Sequence, residues 1–73
     1  MTFTKHVIER FQQRITCESP EAVRFFIQND IKKSTLIYRK NRIEKRRYND
    51  IIYIVDCQNP TQPKVVTLYI QIN

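Results

Sequence analysis

The sequence predicts an α+β fold, with two N-terminal helices packed on one face of a four-stranded antiparallel sheet in the order ααββββ. Three observations lead there. Apolar residues recur at helical spacing over the first fifteen positions, and a Ser-Pro-Glu helix start follows. After Ser34 the pattern changes to short runs of β-branched and aromatic residues separated by turn formers. The 73 residues are enough for one domain, 1–73, with one thin core, because a chain this short buries only ~60% of the surface its unfolded form exposes.

The first helix is read from Thr4 to Ile15. Val7, Ile8, Phe11 and Ile15 form one apolar stripe, and Thr2 or Thr4 is available as cap. His6, Arg10 and Gln13 fall together on the far side, with Arg14 at the margin. Ser19-Pro20-Glu21 opens the second helix: a hydroxyl to accept from an orphan N–H, proline at the first helical position, and an acid at the positive end of the dipole. It runs through Ala22, Val23, Phe26, Ile27 and Ile31 to Lys32-Lys33, which suit the negative end, and Phe25 lies off this stripe.

Four strands follow, over 35–39, 42–48, 51–57 and 65–72. Asn49-Asp50 joins the second and third, since Asn and Asp tolerate positive φ where no glycine is offered, and Lys40-Asn41 does the same between the first two. Residues 59–63, with two prolines, form a loop. In the last strand strict alternation places Val66, Leu68, Ile70 and Ile72 against the helices and Val65, Thr67, Tyr69 and Gln71 on the open side.

Composition narrows the function. Glycine is absent, which excludes phosphate-cradling loops and nucleophile elbows. No apolar run approaches the ~18 residues of a membrane span and no export signal precedes the first helix, so a cytoplasmic protein is expected. Cys17 and Cys57, forty residues apart, read as reduced thiols. With His6 as the single histidine, no metal site and no cofactor are expected.

Charge is concentrated. Of thirteen basic residues, eight lie between positions 32 and 47 (Lys32, Lys33, Arg39, Lys40, Arg42, Lys45, Arg46 and Arg47) against one acid, Glu44. A focused field of this sign attracts a polyanion such as RNA, DNA or an acidic protein. Tyr38, Tyr48 and Tyr53 interleave this segment, a mixture of rings and cations suited to single-stranded RNA. His6 with Arg10 and Arg14 at i+4 and i+8 suits a phosphodiester: imidazole moves a proton near neutral pH, and guanidinium holds nonbridging oxygens as charge builds on them. Thr67 and Tyr69, on one face of the last strand, supply hydroxyls to orient a phosphate and a ring to stack a base.

Residues 5–15 (KHVIERFQQRI) and the proline-started helix after them resemble the opening of small bacterial and phage domains allied to the barnase, EndoU, colicin and RelE-like (BECR) ribonuclease superfamily. Ile52-Tyr53-Ile54-Val55-Asp56, a polar loop and Val66-Thr67-Leu68-Tyr69 resemble its closing strands. The two pieces cover a little over half of the chain. Ile15 stands where the family usually has glycine, so the exit from the first helix differs, and residues 35 to 48 match no family pattern. The resemblance implies the ααββββ fold and metal-independent RNA cleavage in which a 2′-hydroxyl attacks the adjacent phosphate. It also implies His6 as general base or acid, Arg10 and Arg14 as phosphate ligands, and Thr67 and Tyr69 lining the site.

The primary expectation is therefore a small toxin-like or phage-encoded endoribonuclease, with RNA drawn in by the basic hairpin and an antitoxin or host protein as a further partner. The alternative is a noncatalytic phage or prophage protein that uses the hairpin to bind nucleic acid or an acidic host protein. A third class, a small dimer pairing through an exposed edge such as 42–48, is opposed by the charge on that strand.

Overall fold

The structure is a computed structural model that describes residues 1–72. It is α+β, with two helices and a five-stranded mixed sheet. The elements are β1 (Thr2–Phe3), α1 (Lys5–Arg14), α2 (Pro20–Lys33), β2 (Thr35–Lys40), β3 (Ile43–Tyr48), β4 (Ile51–Asp56) and β5 (Lys64–Ile70). The sheet order is β1-β5-β4-β3-β2. β2 to β5 form the expected antiparallel meander. The expectation of four antiparallel strands omits β1, which pairs parallel to β5 through Thr2 with Lys64 and Phe3 with Val65. Two residues are too few to carry a periodic signal, and β1 is fixed by tertiary pairing: Thr2 N–H donates to the Pro63 carbonyl and Thr4 N–H to that of Val65.

Local chemistry sets the helix ends. The Thr4 hydroxyl accepts from Val7 N–H at 3.1 Å to cap α1. The Ser19 hydroxyl accepts from Ala22 N–H at 3.2 Å, with Pro20 in the first turn of α2. At the far end the Ser34 hydroxyl donates to the Ile31 carbonyl at 2.6 Å. The core lies between the helices and one sheet face. Val7, Ile8 and Phe11 of α1 and Val23, Ile27 and Ile31 of α2 meet Tyr53, Val55, Val65 and Leu68. Phe26, expected in this stripe, is only partly covered and stacks on Phe11, while Phe25 projects outward beside it. Ile15, expected in the α1 stripe, lies just past the helix end and is also partly exposed.

Both hairpin turns use non-glycine residues at positive φ. The first is Asn41-Arg42 (φ 54° and 65°), one residue later than the expected Lys40-Asn41, because a mirror-type turn needs positive φ at both central positions and Asn is best placed first. The second turn lies at Asn49-Asp50 as the sequence predicts, with positive φ at Asn49 (53°) and not at Asp50. Strand 42–48 is not an edge: β3 is paired on both sides, and the exposed edge is β2.

Strict alternation fails in β5. Ile54 pairs with Thr67 and Val55 with Val65, so Val66 is an extra residue at a β-bulge. The bulge turns Val65 into the core, where it is fully buried beside Leu68, and leaves Val66 half-buried. Ile72, expected on the helix side, lies past the strand end and is exposed. Ile52 is also fully buried but outside the main core cluster; it sits on the open face between Arg47 and Tyr69 in register.

Candidate functional site

The β5 bulge and the start of α1 build one polar cluster together. β1 runs beside only the first two residues of β5, so the chain leaves the sheet at Thr4 and begins α1 next to the unpaired part of the β5 edge. The Thr4 hydroxyl, besides capping α1, donates to the carbonyl of bulged Val66 at 2.6 Å. That bond fixes the first turn of α1 against the bulge, and two residues beyond Thr4 and one beyond Val66 His6 and Thr67 meet: His6 Nε2 lies 3.0 Å from Thr67 Oγ1. Arg10, one turn on, directs its Nε–H to the same His6 Nε2 at 3.5 Å.

A guanidinium only donates, and the Thr67 hydroxyl donates or accepts at Nε2 according to the ring tautomer. The result is an exposed ring nitrogen with a cation and a hydroxyl at its side.

Arg14 stands apart from this cluster. Eight residues beyond His6, it lies about 12 Å along the helix axis and roughly 80° around it, and it is exposed. Tyr69 lies two residues beyond Thr67 on the same face, and the Lys45 ammonium sits over its ring at 5.8 Å. Sequence reasoning did not anticipate this pair, since it depends on the register that places Arg47 and Tyr69 on either side of Ile52. Only the alternation of β3 and β5, read together with the bulge, carries a signal for it.

The basic segment does not form one surface. Pairing partners share a face, and the register divides the residues. Arg39 and Arg46 point to the helix side and close on Glu44, which is 7% exposed. The Arg39 guanidinium donates to Glu44 Oε2, from Nε at 3.0 Å, and Arg46 Nη1 donates to Oε1 at 3.0 Å. Arg46 also donates to the Ser34 hydroxyl at 2.7 Å. Burial acts to raise the Glu44 carboxyl, but the two guanidiniums outweigh it and hold the group below its ordinary value.

Lys40, Lys45 and Arg47 take the open face with Tyr38, while Arg47 also donates to the Asn49 carbonyl. Arg42 occupies the turn and reaches the Gln58 carbonyl at 3.4 Å, and Lys32 and Lys33 end α2. The expected interleaving rings divide too. Tyr53 is buried, its hydroxyl donating to Asp30 at 2.7 Å, and Tyr48 pairs across from Ile51 on the helix side, which leaves Tyr38 on the open face. Burial pushes both the Tyr53 phenol and the Asp30 carboxyl up, and the hydrogen bond between them ties α2 to β4.

Burial likewise pushes the Cys57 thiol up, with the Glu44 charge adding to it, and leaves a poor nucleophile. Among the described residues no three of His, Cys, Asp and Glu converge as a metal-binding group, and no helix is long and apolar enough to cross a membrane. A groove between α1 and the start of α2, lined by Phe3, Ile8, Gln12 and Arg24 among others, holds none of His6, Arg10, Arg14, Thr67 and Tyr69. No protein-family model, no curated protein and no solved structure matches the chain.

Proposed function

We propose that the protein is a metal-independent endoribonuclease whose reacting centre is His6, Arg10 and Thr67. The observation that carries this reading is the exposed His6 Nε2, flanked by the Arg10 guanidinium and the Thr67 hydroxyl. RNA brings its own nucleophile. His6 Nε2 takes the proton of a 2′-hydroxyl as that oxygen attacks the adjacent phosphorus, the 5′-oxygen departs, and a 2′,3′-cyclic phosphate remains. Arg10 lies where negative charge builds on the nonbridging oxygens, and Thr67, freed from His6 when substrate enters, donates to the same phosphate. The imidazolium so formed returns its proton to the leaving oxygen. The likeness of residues 5–15 to the barnase, EndoU, colicin and RelE-like ribonucleases supports the same roles from sequence, and on that likeness a toxin-like or phage origin is part of the proposal.

A second reading draws on the position of the charge. Most of the basic excess lies on β2 and β3, strands away from His6, which suits a noncatalytic module that holds nucleic acid or an acidic protein. The two readings part on one residue. Purified protein incubated with mixed cellular RNA in EDTA at neutral pH gives discrete products with cyclic phosphate ends under the first reading. His6→Ala abolishes them, by at least ~100-fold in rate, while RNA binding stays within a few-fold. Cleavage that survives His6→Ala, or none by the parent protein, removes the catalytic reading and leaves the binding module.

A further inference from the structure

The open face of the sheet carries a row of side chains that runs across the strands and ends at the reacting centre. Tyr38 of β2 pairs with Lys45 of β3, Lys45 with Ile54 of β4, and Ile54 with Thr67 of β5, which meets His6. Directly paired residues share a face, so these four strands hold the row in register. At about 4.8 Å per strand it spans ~14 Å from Tyr38 to Thr67. Tyr38 is 55% exposed at the edge strand, and among the described residues no ring and no cation stacks on it. Within the row, the Lys45 ammonium lies over the Tyr69 ring at 5.8 Å. Buried Ile52 pairs with Tyr69 across β4 and β5, on the same face.

We infer that this row is a track for an unpaired RNA strand, with Tyr38 as the platform on which a base stacks, Lys45 as a phosphate contact, and Tyr69 as the residue that positions Lys45. The inference rests on the proposed ribonuclease reading for which phosphate meets His6, and it adds the substrate class. The ring and the ammonium favour a nucleic acid over an acidic peptide, because an exposed aromatic beside a cation matches a base followed by a phosphate. They favour an unpaired strand because a duplex turns its bases inward and offers no free face to Tyr38, whereas splayed bases stack on aromatic side chains. Tyr69 then acts as a positioning residue and not as a stacking one, because the Lys45 ammonium lies over its ring.

The test is fluorescence anisotropy at low salt in EDTA with a short unstructured 2′-O-methyl oligonucleotide and with a duplex of the same length. The blocked 2′-oxygen prevents attack, so binding is read whether or not the protein cleaves RNA. The parent protein is expected to prefer the single strand at least five-fold, and Tyr38→Ala to lose about 5- to 100-fold of single-strand affinity with duplex affinity unchanged. Tyr38→Phe keeps the preference. Tyr38→Leu, which retains apolar bulk at the strand edge without a ring, loses it, and guards against a fold effect of the alanine variant. Equal binding of both forms by the parent, or an unchanged single-strand affinity in Tyr38→Leu, overturns the track. Absence of cleavage together with an intact preference counts against the ribonuclease reading alone, while lost preference with cleavage intact counts against the track alone.

Discussion

Glu44 is the residue on which the basic hairpin turns. It is the one acid between positions 32 and 47 and is nearly fully buried, so it costs free energy unless both carboxylate oxygens are satisfied, which Arg39 and Arg46 accomplish. Its folded value lies below the ordinary 4.5. A depressed carboxyl contributes stability that is present above the unfolded value and is lost as pH falls through the folded one. Glu44→Gln is therefore expected to lower unfolding stability at neutral pH by ~1–3 kcal/mol, the range of hydrogen bonds to a charged group, and to shrink that deficit as pH falls below about 4, where the parent loses the same interaction. Urea unfolding at pH 7 and at pH 3 measures both. A deficit of equal size at the two values would mean that the side chain acts by packing and not by charge.

At the scale of elements, the site depends on a junction that no single element contains. α1 is capped by Thr4, and the same hydroxyl holds the β5 bulge through the Val66 carbonyl. Thr4→Val removes both bonds while keeping the branched shape. It is expected to cost ~1–2 kcal/mol, the size of a lost N-cap, and to lower RNA cleavage more than it lowers RNA binding, because His6 and Thr67 lose their common anchor. Thr4→Ser restores both. Thermal unfolding beside a cleavage assay separates the effects, and cleavage that tracks the folded fraction alone would reduce Thr4 to a stability residue.

This junction also marks how much was legible in the sequence. The two helices, their caps and the antiparallel meander follow from local signals: Ser19-Pro20, the Val7-Ile8-Phe11 stripe, and Asn at the turns. The helical spacing of His6 and Arg10 also places them on one side of α1, where they meet. β1 and the Val66 bulge were not legible, since a two-residue strand and one inserted residue leave the local pattern unchanged and exist only through pairing at long range. For the same reason alternation put Val65 on the wrong face. The split of the basic segment was hidden as well, because its sign is visible in the sequence but the face of each residue depends on register.

For the molecule as a whole, the net charge of +6 is not a uniform coat, and the distribution of its effects is testable. Arg39 and Arg46 spend their charge on Glu44 at the helix side, whereas Lys40 and Lys45 face the proposed track and Arg10 stands at its end. Three phosphate contacts to a single strand give a dependence of log affinity on log salt with slope on the order of −2, since each contact contributes about −0.7 by counterion release. Lys45→Gln is expected to reduce that slope by about 0.7 and to weaken binding to every sequence alike. Arg39→Gln is expected to leave the slope unchanged, because its guanidinium is on the opposite face, while it lowers thermal stability by loosening Glu44. Titration of a labelled single strand between 50 and 200 mM salt, on the order of one Debye length of change in range, reads both variants directly. If Arg39→Gln and Lys45→Gln reduced the slope equally, the basic segment would act as one undivided field, and the face assigned to each residue would have no bearing on how the protein holds RNA.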